Sequence, residues 1–321
     1  MKTTTIHHLN SGLIILSCLI AFIVPFELFL FSYAVLGPLH YLTEIGWLHK
    51  KNYFTKGKYD FVVLAGLCVL LVYFNFFPPK RDYTAIPDIM TFALFASLAF
   101  VFMKDWLYRV AVMLLAIISI SFLNDAGSYF TWIAIFLPTV IHVFVFTWLF
   151  MLYGVLKERS PAGLISIIVL IICAVLVFTV QPQNLFYEVS AYTRKSYTMF
   201  AELNFRLIQL FNLGEIKDVN ELYSTNAGFV IMRFIAFAYT YHYLNWFSKT
   251  SVIKWHQVPK KTLTITILVW LAAVATYLID YNLGLKVLFL LSFLHVFLEF
   301  PLNFVSFTGI GKELGAIIKS G

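Results

Sequence analysis

Apolar runs of membrane-spanning length recur along the whole chain, at residues 12–36, 59–77, 86–103, 106–123, 129–154, 162–181, 226–247, 262–281 and 284–308. A hydrocarbon core about 30 Å thick is crossed by roughly 20 helical residues, each rising about 1.5 Å. Lipid offers no partner for a bare N–H or C=O, so such runs must fold as helices that satisfy their own backbones. The expected fold is therefore all-α, a polytopic integral membrane bundle of about nine transmembrane helices, with residues 1–321 forming a single transmembrane domain. The second to fourth runs are short enough for one of them to be re-entrant. Composition agrees with this reading, because a chain that is 61% hydrophobic and 12% charged has too few charges to cover a soluble domain of its size. The first run is not read as a cleavable signal, since it is too long and lacks a small-residue cleavage site.

The polar residues refine the picture. Cys18, Cys68 and Cys173 all lie inside apolar runs and read as small buried hydrophobes, with neither disulfide nor zinc-finger spacing. Pro25, Gly37-Pro38, Pro138 and Pro301 interrupt spans. Such breaks free carbonyls that neighbouring groups must satisfy, so they mark packed interior positions. The net charge of +7 points to loop lysines and arginines facing anionic membrane lipid, and no aromatic–basic array suggests nucleic acid. Placing the N-terminus outside puts 14 basic residues on the cytoplasmic side, among them Lys50, Lys51, Lys157 and Lys249, against 7 on the other, among them Lys2, Lys80 and Arg81. The expected topology is N-out and C-cytoplasmic, in a bacterial inner membrane. Residues 182–225, which mix aromatic and aliphatic residues with charge, are expected to form an extramembrane or interfacial insertion.

Four histidines sit inside apolar segments: His40 in GPLHYLTEI, His142 in PTVIHVFVF, His242 in AYTYHYLNWF and His295 in LSFLHVFLEF. Glu44 and Glu299 follow two of them by four residues, which places acid and imidazole on one helical face. At membrane depth such groups are costly and serve a function by default. A neutral imidazole ligates iron, copper or zinc well. Glu44 and Glu299 would offset the charge of an ion by accepting the free ring N–H of a ligating histidine. Four ligands on an octahedral ion leave two positions open, as oxygen activation requires. The plain alternative is that each histidine is an interhelical hydrogen-bond donor. His7, His8, His49 and His256 lie in polar or basic surroundings and read as solvated. Arg233, in FVIMRFIAF, is expected to pair with an acid, with outward snorkelling as the alternative.

The order and context of these motifs resemble the Brp/Blh-type membrane β-carotene dioxygenases. That family has an early Pro-His-x3-Asp motif, a later Ile-His, an aromatic-rich His, and a C-terminal His followed by an acid. This chain has Pro38-Leu39-His40 with Glu44, then Ile141-His142, Tyr241-His242, and His295 with Glu299. It departs in the extra residue before His40, in glutamate at position 44, in Thr147 at an acid position, and in Trp246 where the family often has a second histidine. The resemblance implies a membrane-embedded oxygenase that uses non-haem Fe(II) and dioxygen to cleave a carotenoid or similar lipid-soluble polyene. His40, His142, His242 and His295 would be the metal ligands, with Glu44 and Glu299 supporting catalysis. Two other readings of the same residues stay open: a haem-binding or dinuclear-metal redox protein, and a proton- or ion-coupled transporter.

Overall fold

The computed structural model describes residues 3–78, 85–181, 187–249, 254 and 257–320. Lys2, Lys80, Arg81, His256 and residues 182–186 of the expected insertion lie outside them. The helices are α1 (Thr3–Ile23), α2 (Pro25–Lys50), α3 (Asp60–Phe76), α4 (Ile86–Phe102), α5 (Trp106–Leu123), α6 (Thr131–Glu158), α7 (Pro161–Thr179), α8 (Ala191–Tyr197), α9 (Ala201–Leu210), α10 (Asn226–Ser248), α11 (Lys260–Ile279) and α12 (Tyr281–Ser320). No strand occurs among the described residues.

Seven of these helices are long and apolar enough to cross a membrane, and the 17-residue α3 and α4 are shorter apolar helices. Their outward faces carry Leu114, Ile117 and Ile118 on α5, Ile165, Ile168 and Ile172 on α7, and Leu268 and Leu271 on α11, all exposed. Aliphatic surface on this scale belongs in lipid. The architecture fits a multi-pass membrane protein.

The chain divides into two compact units. The first comprises Met1–His40 and Val143–Lys286, the second Tyr41–His142 and Val287–Gly321.

In the first unit α10 is the centre, buried continuously from Gly228 to Tyr243. Ser248 on α10 donates to Asn10 on α1 at 2.8 Å, and Arg233 lies 5.4 Å from the Phe22 ring. Helix α1 therefore runs antiparallel to α10. Phe26 meets Phe229, and Ser32 bonds Thr240 at 2.8 Å, so α2 runs parallel to α10. Helices α1 and α2 are thus a hairpin, where the sequence suggested one span over 12–36. The corner is Val24, with φ −137° and ψ 64°. Pro25 follows as the first residue of α2; its ring lacks an N–H and clashes with the carbonyl four residues back, so the chain cannot continue as one helix.

The insertion packs on this unit through aromatic residues. Phe26 and Phe29 of α2 sit against Tyr197, Phe200 and Tyr223, with centroids 4.7–5.4 Å apart. Tyr187 and Thr193 both donate to the Glu27 carboxylate. At Gly228 an added Cβ would lie 2.2 Å from the Leu222 carbonyl oxygen. Only glycine lets the insertion cross the start of α10 this closely.

In the second unit α3, α4 and α5 pack side by side. Arg109 at the start of α5 makes a two-pronged bond to Asp60 at the start of α3, at 2.8 and 3.0 Å. Lys56 closes the same end on the carbonyls of Phe100 and Phe102. Cys68 and Phe76 of α3 contact Leu290 and Phe289 of α12.

Two helices contain π turns. In α2 the turn spans Ser32–Leu36, and Gly37 N–H reaches back five residues to Ser32 O. In α6 the π segment spans Thr131–Phe146 and contains Pro138. Proline cannot donate there, and a widened turn moves its ring off the preceding carbonyl.

Candidate metal centre

The four intramembrane histidines are nearly inaccessible, at 1%, 2%, 6% and 3% exposure for His40, His142, His242 and His295. They occur as two pairs, one in each unit.

In the first unit His40 follows the π turn of α2, and His242 lies in the last turns of α10. Their Nε2 atoms are 3.1 Å apart, and the rings meet nearly edge-on. Tyr243 and Trp246 pack on His40 with centroids at 5.2 and 5.6 Å. Behind His242, Thr147 Oγ1 sits 2.7 Å from Nδ1. With the proton on Nδ1 donated to that hydroxyl, the Nε2 lone pair points at His40.

In the second unit His142 ends its unit's share of the α6 π segment, and His295 projects from α12. Their Nε2 atoms are again 3.1 Å apart. Tyr41 stacks on His295 at 4.1 Å with ring planes 21° apart. Glu299, one turn after His295, places Oε2 3.6 Å from Nδ1 of His142. The carboxylate therefore faces the ring edge remote from the His142–His295 contact. That distance is an ion-pair approach slightly longer than a hydrogen bond. Glu44 is buried in the same unit, at 2% exposure.

Two neutral imidazoles with Nε2 atoms facing one another either share a proton or flank a cation. The 3.1 Å spacing is that of an N–H···N hydrogen bond and equally that of two neighbouring ligands on one cation. Ligands about 2.1 Å from one ion and 90–109° apart have nitrogens about 3.0–3.4 Å from each other, whereas trans ligands would be about 4.2 Å apart. Both pairs have the spacing of neighbouring ligands. In the first unit the buried imidazoles of His40 and His242 belong to a group able to hold a metal ion.

The sequence set Glu299 on the helical face of His295, and its carboxylate also reaches His142 on another helix. Thr147 carries a role that the sequence showed only as a missing acid. Tyr41 was not singled out at all, although its place next to His40 was a usable signal. Arg233 packs its guanidinium on the rings of Phe22 and Phe229, at 5.4 and 5.9 Å, a cation–π arrangement. His7 pairs with Glu158 at 3.0 Å, and His49 with the Tyr53 hydroxyl at 3.2 Å. The chain matches no family model, no curated protein and no solved structure.

Proposed function

We propose that this chain is a membrane-embedded non-haem iron oxygenase that cleaves a long apolar polyene, a carotenoid by the motif resemblance. The observation that carries the reading is the pairing of buried imidazoles at the spacing of neighbouring metal ligands. His40 with His242, and His142 with His295, would be the ligand imidazoles, each offering Nε2.

Bound ferrous iron would supply activation of dioxygen. The net reaction breaks one carbon–carbon double bond and delivers one oxygen atom to each carbon, giving two carbonyl products. The protein's own groups do the rest. Thr147 holds the His242 ring, and Glu299 lies behind His142, where its negative charge favours a cation on the far side of the ring. Tyr41, Tyr243 and Trp246 close the imidazoles off from water with aromatic surface, which suits a substrate of negligible aqueous concentration.

The 3.1 Å Nε2 separation in each pair leaves no room for a macrocycle between the rings, which favours non-haem iron over haem. Glu299 facing Nδ1 of His142, and not the Nε2 side, favours one ion over a carboxylate-bridged pair. The hairpin supports a cytoplasmic N-terminus: if α2 ends in the cytoplasm at Lys50, α1 begins on that side too.

The deciding experiment is expression in cells that accumulate β-carotene, with metal analysis of the purified protein. Loss of pigment with an apocarotenal product, and one iron per chain without a Soret band, is the expected result. Unchanged pigment with iron present would reject the polyene substrate. Unchanged pigment and no bound metal would reject both and favour a proton- or ion-coupled transporter.

A further inference from the structure

The π turn in α2 lies directly upstream of His40 and is held from outside by three side chains. The indole N–H of Trp270 on α11 donates to Val35 O at 2.7 Å. The hydroxyl of Tyr281 donates to Leu30 O at 3.1 Å. Ser32 bonds Thr240 at 2.8 Å, two residues before His242 on α10. Helix α11 is otherwise largely exposed along its length, yet its tryptophan reaches a carbonyl of this one turn.

A π turn is an α-helix with one residue inserted, and it spreads the ladder so that backbone carbonyls need outside donors. Each residue of an α-helix turns the chain by about 100° and advances it about 1.5 Å. Closing the π turn to regular α-helix, with both flanks unchanged in sequence, would therefore rotate His40 by about 100° relative to Phe26 and Phe29. The His40 ring could not then face His242, because a ligand site tolerates displacements of only about 0.2 Å.

We infer that Trp270 is a positioning residue: by bonding Val35 O it holds the α2 π turn open and thereby aims His40 at His242. The functional weight of this inference rests on reading His40 as a metal ligand; the geometry it describes does not. Tyr281 and the Ser32–Thr240 bond brace the same turn, so loss of the indole N–H alone leaves a mixture of registers. The aligned fraction falls, and any process that needs the alignment falls in proportion.

The test reads the aim of position 40 without metal. In a background with Cys18→Ala, Cys68→Ala and Cys173→Ala, the pair His40→Cys/His242→Cys is treated in membranes with a short bis-alkylating thiol reagent, and the cross-linking rate is measured. Addition of Trp270→Phe, which keeps the aromatic ring and removes the donor, is expected to slow cross-linking about tenfold. Deleting Ala34, which turns the π turn into an α turn without rotating the flanks, should restore the rate and make it indifferent to Trp270→Phe. Equal rates with and without Trp270→Phe, or no cross-link in the parent pair, overturn the inference. If the Ala34 deletion does not fold, the Trp270→Phe comparison alone decides. Separately, Co2+ binding by the native chain and by Trp270→Phe, read from ligand-field absorption, tests the metal reading. A native chain that binds no Co2+ while the cross-link data hold would sink the oxygenase and leave the positioning role standing.

Discussion

Replacing Thr147 by valine tests the metal centre at its smallest point. The substitution keeps the branched shape and removes one hydroxyl, which lies 2.7 Å from Nδ1 of His242 in a site where both residues are buried. Leaving a buried imidazole N–H without its acceptor costs about 1–3 kcal/mol. If His242 is a ligand, that penalty falls on the tautomer that binds metal, with its proton on Nδ1 and its lone pair on Nε2. At 1.4 kcal/mol per factor of ten, the expected loss of metal affinity is about 10–100-fold, the range typical of groups that orient a ligating histidine. The assay is a Co2+ titration of detergent-purified, metal-free protein, followed by the visible absorption of the bound ion. Thr147→Ser should retain affinity within a few-fold, because the hydroxyl survives. Parent-like affinity in Thr147→Val, with the protein folded, would refute the reasoning and leave the 3.1 Å His40–His242 contact as a plain interhelical hydrogen bond.

Glu299→Gln should lower metal affinity by about 10–100-fold without preventing folding, as equilibrium dialysis would show; an unchanged constant would deny its role behind His142. His142→Ala should abolish pigment bleaching while membrane expression persists, and a variant that still bleaches would remove His142 from the centre. Metal at 100 times its dissociation constant should stabilise the fold by about 2.7 kcal/mol, so chelation should lower the thermal midpoint of the parent and leave that of His242→Ala unmoved. Burial holds the phenols of Tyr187, Tyr197 and Tyr223 above their ordinary value near 10, and the Glu27 bond adds to the shift of Tyr187. A raised phenol stabilises the fold fully below pH about 10 and loses that contribution as pH climbs toward the folded value. These three should therefore ionise later than exposed tyrosines in an ultraviolet titration, and Tyr187→Phe should remove one late step; an unchanged late phase would contradict the burial argument.

The helical architecture was legible because chain-length periodicity and composition act locally. Each expected span contains a helix, and from the second span onward the ends differ by a few residues, apart from the longer run of α12. The hairpin at Val24–Pro25 was not legible. Pro25 inside an apolar run reads equally as a kink or a corner, and only packing against α10 decides between them. The four histidines stood out because imidazole is expensive in lipid. Their partners did not: Thr147 is an unremarkable residue in a membrane helix, and Glu299 could be assigned to His142 only after helices distant in sequence were brought together. The π turn of α2 leaves no compositional trace, since it is a register shift and not a residue type.

The burial of α10 has a consequence for biogenesis. This helix carries Arg233, His242 and Asn245 and is not among the seven that are apolar and long enough to cross by themselves. An arginine within a span opposes insertion, by up to about 2.5–3.5 kcal/mol at the helix centre. The helices that enclose α10 in its unit, α1, α2, α7 and α9, all precede it in the chain. During synthesis they leave the ribosome first, and Phe22, already in place on α1, offers the arginine a ring to lie on. Helix α10 then enters an environment of protein and not of lipid, so chain order itself supplies the solvent that its polar residues require.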